Sequence, residues 1–136
     1  MRIKGIEHIG LAVDSIETAA PFWRDILQLN HRGSEEVKLQ SVNTDIYDTS
    51  SGKVELLEGT NPDSPITKFL EKRGSGIHHI CFEVDNVESA MTELKENNIQ
   101  VIGDNPTVGA EGYKVIFIHP KSTGGVLVEL AEKPLK

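Results

Sequence analysis

The segment that decides the fold carries two adjacent histidines and reads Ile77-His78-His79-Ile80-Cys81-Phe82-Glu83-Val84-Asp85-Asn86-Val87-Glu88-Ser89-Ala90. A second version of it lies 71 residues earlier, from Ile6 to Ala19. Seven of the fourteen aligned pairs are identical, and His8 aligned with His79 is one of them. Both versions begin with alternating apolar residues and continue into a helix-start pattern, which predicts a strand followed by a helix. The sequence therefore predicts two similar halves.

The first copy predicts a strand over Ile6–Val13 and then a helix capped by Asp14. Further strands are predicted near residues 42–47 and 54–58, separated by a hairpin at residues 49–52. A short helix over residues 64–73 joins the halves, because Ser64-Pro65 is a start signal and Gly74 a stop signal. The second copy predicts a helix over residues 86–97, a short strand over 99–102, a loop over 108–112 and paired strands over 115–118 and 126–130.

The composition favours a globular protein that acts on a small molecule. The chain has 136 residues, 38% of them hydrophobic, which fits one domain over residues 1–136 with a sizeable core. Its formal charge of -7 argues against nucleic acid or an anionic membrane as partner. The single cysteine, Cys81, excludes an internal disulfide and a cysteine-rich zinc site. With neither a signal peptide nor a spanning helix expected, we predict a cytoplasmic location.

Each repeat supplies one histidine on its opening strand and one glutamate on its closing strand, which is Val-Glu-Leu in both halves. The four residues are His8, Glu55, His79 and Glu129. If the halves pair about a pseudo-twofold axis, these side chains can converge on one point. Two imidazoles and two carboxylates suit a divalent cation and leave positions open for substrate. The sequence therefore predicts a catalytic metal centre.

Taken singly, each residue of this quartet has a more ordinary interpretation than metal binding. A lone histidine is more often structural, and a glutamate on a strand is more often solvated. Occurrence at matching places in both copies favours the metal site for the quartet. Glu58 and Glu132 also correspond between the halves, but we interpret them as solvated residues. The other histidines are expected to pack or to lie in turns and on the surface (His31, His78 and His119).

Three segments resemble the vicinal oxygen chelate superfamily, which contains lactoylglutathione lyase and methylmalonyl-CoA epimerase. They are the opening His8-Ile9-Gly10-Leu11-Ala12-Val13-Asp14, the second opening His78–Asp85 and the closing Val128-Glu129-Leu130. Residues 63–74 and 119–130 are similar to the epimerase in particular. This resemblance implies an α+β fold of two tandem βαβββ modules, about 3–60 and 74–133, which form a curved mixed sheet around a metal.

The resemblance also implies that the quartet binds the metal, and that Glu129 both binds it and carries a proton. The intermediate hardness of these ligands admits cobalt, manganese, nickel or zinc. The expected reaction is epimerisation of methylmalonyl-CoA by removal of its C2 proton. Epimerisation needs proton transfer on two faces of a planar carbon. Some epimerases have a carboxylate on the third strand, but Thr44 occupies that position with Asp45 beside it. The second base is therefore left unassigned.

The thioester substrate and the possible partners follow from the same resemblance. Coenzyme A carries phosphates, and we expect Lys121 and Ser122, in the turn before the last strand, to bind substrate. Superfamily members are often dimers, so a homodimer is expected by analogy. Two alternatives remain: a lactoylglutathione lyase acting on the methylglyoxal-glutathione hemithioacetal, and a metal-free binding protein of the same fold.

Overall fold

Each half of the chain forms one strand, one helix and three further strands, in the order that the repeat predicts. The computed structural model describes residues Met1–Leu135. The strands are β1 (Ile3–Ala12), β2 (Asn30–Val37), β3 (Val42–Thr49), β4 (Gly52–Gly59), β5 (Gly76–Val84), β6 (Val101–Val108), β7 (Lys114–Ile118) and β8 (Val128–Glu132). The helices are α1 (Ile16–Pro21), α2 (Pro65–Arg73) and α3 (Val87–Glu96). The predicted α+β class with tandem βαβββ modules is confirmed.

The first compact unit comprises His8–His78. Its strands lie in the order β2-β3-β4-β1, with antiparallel pairing from β2 to β4 and parallel pairing of β4 with β1. One face packs under α1, where Tyr47 and Leu56 are fully buried beside Trp23. The other face packs near α2, where Leu57 contacts a cluster that includes Ile66. Both faces of this sheet are therefore covered over part of their area.

The second compact unit comprises Met1–Glu7 and the chain from His79 onward. Its strands lie in the order β5-β8-β7-β6, with β5 parallel to β8 and the remaining pairs antiparallel. The apolar stripe of α3, formed by Val87, Ala90 and Met91, packs on the buried side chains of Ile116 and Leu130. The first and second units thus repeat the same strand order.

The first helix starts one residue later than the sequence suggested. Ser15 is the N-cap, and its hydroxyl accepts a hydrogen bond from the backbone N–H of Thr18 at 3.4 Å. The predicted cap, Asp14, is therefore wrong, because the serine takes the cap conformation and its oxygen reaches the exposed N–H. After Pro21 the helix widens into a π-turn over Phe22–Ile26. A proline lacks the N–H of a regular helix, so a local change in winding at this point is expected.

The outer strand of the second unit also differs from its prediction. The sequence predicted a short strand at residues 99–102 and a loop at 108–112, whereas β6 runs from Val101 to Val108. Its ladder with β7 skips from Ile102 to Thr107, so the strand is regular only near its ends. The predictions for α2 and α3 agree with the structure to within a residue or two. Within Met1–Leu135, none of the helices has the length and apolar character needed to span a membrane.

Candidate metal centre

The first unit brings one histidine and one glutamate of the predicted quartet together. His8 lies on β1 and Glu55 on β4, and these strands pair in parallel with Gly10 opposite Glu55. The separation between His8 Nδ1 and Glu55 Oε2 is 3.2 Å. Both side chains are buried, with 6% and 4% exposure respectively. The first unit therefore holds one buried histidine–glutamate contact of the predicted quartet.

The second unit repeats this arrangement. His79 lies on β5 and Glu129 on β8, and His79 Nε2 is 3.0 Å from Glu129 Oε1. Each residue is 5% exposed. The Phe117 ring meets the His79 ring edge to face, with centroids 5.9 Å apart, and the Phe117 backbone pairs with Glu129. Cys81, two residues after His79 on β5 and so on the same sheet face, is fully buried and packs with Val115.

The donor atoms of both pairs fit a divalent cation. Adjacent ligands at about 2.1 Å from one ion, at right angles, lie about 3.0 Å from each other. The two measured nitrogen-to-oxygen separations, 3.2 and 3.0 Å, match this spacing. Buried residues that offer ligand atoms suited to an ion include His8, His79 and Glu129. Burial of two carboxylates favours a positive charge beside them, which a cation would supply. Convergence of both pairs on one ion stays a prediction.

The turn residues predicted to bind substrate lie between β7 and β8. Lys121 is exposed, and its backbone N–H donates to His119 Nδ1 at 3.0 Å. His119 therefore caps this turn, in agreement with its predicted role. The Ser122 hydroxyl accepts a hydrogen bond from the Gln100 backbone N–H at 2.9 Å. His78 packs edge to face against Phe69, as expected for a packing residue.

A buried polar network on β2 and β3 was missed by the sequence analysis. Both carboxylate oxygens of Asp45 accept hydrogen bonds: Oδ1 from Ser34 at 2.7 Å and from His31 at 2.6 Å, and Oδ2 from the Tyr47 hydroxyl at 2.5 Å. Burial alone would raise the pKa of Asp45, but these hydrogen bonds and the His31 ion pair hold it below its usual value. Burial and the neighbouring carboxylate raise the pKa of Tyr47 well above its ordinary value. Asp45 is therefore a structural anion under α1.

The corresponding acidic residues Glu58 and Glu132 are not merely solvated, as the sequence analysis had interpreted them. Glu58 accepts a hydrogen bond from the backbone N–H of Ile16 at 2.8 Å, and Glu132 accepts one from Val87 at 3.0 Å. Each carboxylate thus meets the first residue of its unit's helix, where unpaired N–H groups attract an anion. Their matching positions in the two halves were the signal that could have revealed this role.

Comparisons with known proteins agree with the predicted resemblance. A family model described as the Glyoxalase/Bleomycin resistance protein/Dioxygenase superfamily matches residues 7–117. The chain is 42% identical over 127 residues to the uncharacterized protein YqjC of Bacillus subtilis, covering 93% of this chain and 91% of that protein. It is also 42% identical over 130 residues to the mitochondrial methylmalonyl-CoA epimerase of Mus musculus, covering 93% and 72%.

A solved structure supports the same relationship. It is a variant of the Streptomyces coelicolor methylmalonyl-CoA epimerase in complex with 2-nitronate-propionyl-CoA. The TM-score is 0.93 at 31% identity, and the match covers 98% of this chain and all of the other. The chain therefore belongs to the Glyoxalase/Bleomycin resistance protein/Dioxygenase superfamily, the vicinal oxygen chelate superfamily that its sequence resembles, and is an epimerase-type isomerase within it.

Proposed function

We propose that the protein is a metal-dependent epimerase that interconverts the stereoisomers of methylmalonyl-CoA through removal of the C2 proton. The observation that carries this proposal is the buried histidine–glutamate contact, which occurs once in each unit at equivalent strand positions. Relatives of this chain that are named methylmalonyl-CoA epimerases support the choice of substrate. The C2 carbon is bonded to the thioester carbonyl, whose oxygen takes up the negative charge when the C2 proton is removed and an enolate forms.

His8, Glu55, His79 and Glu129 would hold a single divalent ion, which we expect to be cobalt, manganese, nickel or zinc. When bound, such an ion supplies positive charge that stabilises the enolate oxygens of the substrate. The protein supplies ligands of fixed orientation, because each histidine and its glutamate partner are buried against paired strands. Fixed ligands avoid reorganisation during the reaction.

Glu129 is our candidate for one of the two proton-transfer groups. Its carboxylate would take the C2 proton from one stereoisomer, or return it when the reaction runs in reverse. Phe117 and Cys81 flank Glu129 on the two neighbouring strands, and both are apolar or weakly polar. An apolar surrounding keeps water from competing for the transferred proton.

Lys121 and Ser122 are proposed to help bind the coenzyme A part of the substrate, Lys121 directly and Ser122 by fixing the turn. The Lys121 side chain is exposed in the turn before β8, where an ammonium group can meet the phosphates of coenzyme A. Ser122 would act through this turn, because its hydroxyl joins the turn to the Gln100 backbone. Lys121→Ala should therefore raise KM much more than it lowers kcat.

The test is proton exchange and inversion at C2. Purified protein, stripped by a chelator and reloaded with cobalt or manganese, should exchange the C2 proton of methylmalonyl-CoA with deuterated water and interconvert its stereoisomers. His79→Ala should abolish both activities, whereas His78→Gln, its neighbour on the opposite sheet face, should retain them. Equal activity of the stripped and loaded protein would contradict metal dependence. Turnover of the methylglyoxal-glutathione hemithioacetal instead of methylmalonyl-CoA would assign the lyase reaction.

A further inference from the structure

We propose that Phe117 on β7 is a positioning residue for the metal ligand His79. Its ring holds the plane of the imidazole in the orientation that presents Nε2 towards Glu129. The second unit therefore offers a histidine–glutamate pair whose geometry is set before an ion binds. This inference rests on the proposed function, because Phe117 has this role only if His79 is a metal ligand.

The contact between the two rings fixes the plane of the His79 side chain. Their centroids lie 5.9 Å apart and their planes make an angle of 79°, which is an edge-to-face arrangement. In this orientation His79 Nε2 lies 3.0 Å from Glu129 Oε1. The lone pair of an imidazole nitrogen lies in the plane of the ring, and the χ2 torsion that sets this plane is soft. A ring packed beside His79 therefore restricts the directions in which it can bind an ion.

Strand pairing shows that this contact is specific to the two side chains. Phe117 lies directly opposite Glu129, so both project from the same face of the sheet. The strand β8 separates β5 from β7 in the sheet, and two strand spacings amount to about 10 Å. The rings of His79 and Phe117 meet at 5.9 Å, so they lean towards each other across β8.

The Phe117 ring is itself held by packing on this face. It lies against a cluster of side chains that are at most 2% exposed, namely Cys81, Val115 and Ala131. Val115 precedes Phe117 by two residues on β7, so both project from one face of the sheet. Close packing restricts the movement of a side chain. Phe117 therefore has the fixed support that a positioning residue needs.

The first unit has an aliphatic residue at the corresponding place. Ile46 lies opposite Glu55 on β3, as Phe117 lies opposite Glu129 on β7. In the first unit His8 presents Nδ1 to its glutamate, at 3.2 Å, whereas His79 presents Nε2. The two pairs thus differ both in the nitrogen that faces the glutamate and in the residue opposite that glutamate. Positioning by an aromatic ring at this place is a property of the second unit.

Cobalt affinity and the visible spectrum of bound cobalt test this role. Each protein is stripped with a chelator and titrated with Co²⁺ at one fixed pH, in competition with an indicator of known affinity. Phe117→Leu keeps an apolar side chain and removes the ring, so its cobalt dissociation constant should rise by about 10-fold or more. Its cobalt absorption bands should also shift, because the direction of one ligand changes. Phe117→Tyr keeps the ring and should bind cobalt within about threefold of the wild-type affinity.

Phe82→Leu is the matched control for a general loss of stability. Phe82 lies on β5, as His79 does, but alternates with Cys81 and packs on the other sheet face, in the cluster under α3. The same substitution at this position removes an aromatic ring without a change beside His79. Its melting temperature should fall, while its cobalt affinity and absorption bands should match those of the wild type.

Wild-type cobalt affinity and absorption bands in Phe117→Leu would overturn the role of Phe117. An equal loss of affinity in Phe82→Leu, or in Phe117→Tyr, would also overturn it, because the effect would then not depend on the ring beside His79. If Phe117→Leu fails to fold, Phe117→Met gives the same readout, since methionine fills irregular space in a core. Wild-type protein that binds no cobalt would instead refute the metal site of the proposed function.

Discussion

Substitution of Tyr47 by phenylalanine tests the buried anion under α1. The Tyr47 side chain has no exposed surface, and its hydroxyl donates one of the three hydrogen bonds that Asp45 accepts. Phenylalanine preserves the shape of the ring, so the change opens little space in the core. A hydrogen bond to a charged group contributes about 1.5–3 kcal/mol to stability. His31 and Ser34 still stabilise the carboxylate in this variant. We therefore expect Tyr47→Phe to lower the free energy of unfolding by about 2 kcal/mol, near the middle of that range.

Urea unfolding followed by circular dichroism measures this cost. With a denaturant slope of about 2 kcal/mol per molar for a chain of this size, the midpoint should fall by about 1 M. Ser34→Ala is the control, because it removes a donor to the same carboxylate at an exposed position where water can replace it. Ser34→Ala should therefore lower the free energy of unfolding by clearly less than Tyr47→Phe does. A midpoint shift below about 0.2 M for Tyr47→Phe would refute the reasoning.

The pH dependence supplies a second check on Tyr47→Phe. The pKa of Asp45 is lowered in the folded protein, so its stabilising contribution is complete above the unfolded value of about 3.9 and is lost as pH falls through the folded value. The cost of Tyr47→Phe should therefore shrink in acid. The pKa of Tyr47 is raised in the folded protein, so its contribution is complete below about 10 and is lost as pH rises further. A cost that grows steadily as pH falls below 4 would contradict this interpretation.

Three further changes test other parts of the structure. Cobalt or manganese at about 100 times its dissociation constant should stabilise chelator-treated protein by about 2.7 kcal/mol, and His79→Ala should lose this gain in thermal melts. Glu132→Gln removes the charge that meets the Val87 N–H at the start of α3, and should cost about 0.3–1 kcal/mol in urea unfolding. Gly59→Ala would place Cβ 2.9 Å from Ser64 Oγ and against Thr67 Oγ1, so the same measurement should show a loss of about 1–3 kcal/mol.

Much of the fold follows from the repeat in the sequence. Apolar alternation in the two copies predicted β1 and β5, and the Ser64-Pro65 and Gly74 signals predicted α2. The limits of β6 were not predictable from the same patterns. Its residues 103–106 lack apolar alternation, and only pairing at the two ends of the strand to β7 makes them part of it. Local pattern therefore identifies strands with a buried face better than edge strands.

The two metal-ligand pairs were predicted because their spacing repeats, whereas the Asp45 network has no counterpart in the second half. Register equivalence places Ile116 and Ile118 where the first unit has Asp45 and Tyr47. Alignment of the two halves cannot reveal a feature that only one of them contains. The sheet face on which the β2 residues lie also depends on a bulge at Arg32, which shifts the pairing of β2 with β3 in a way that residue periodicity does not encode.

The outermost strands of the two units, β2 and β6, are bonded to their neighbouring strands in different ways. This difference affects where the chain can tolerate an inserted or deleted residue. In the first unit, His31 and Ser34 tie β2 to the Asp45 carboxylate, so an inserted or deleted residue there would misplace several partners at once. In the second, the ladder of β6 passes over residues 103–106. Length changes in that stretch would disturb few backbone bonds. We therefore expect natural variants of this chain to differ in length at residues 103–106 and to keep a constant length across residues 31–45.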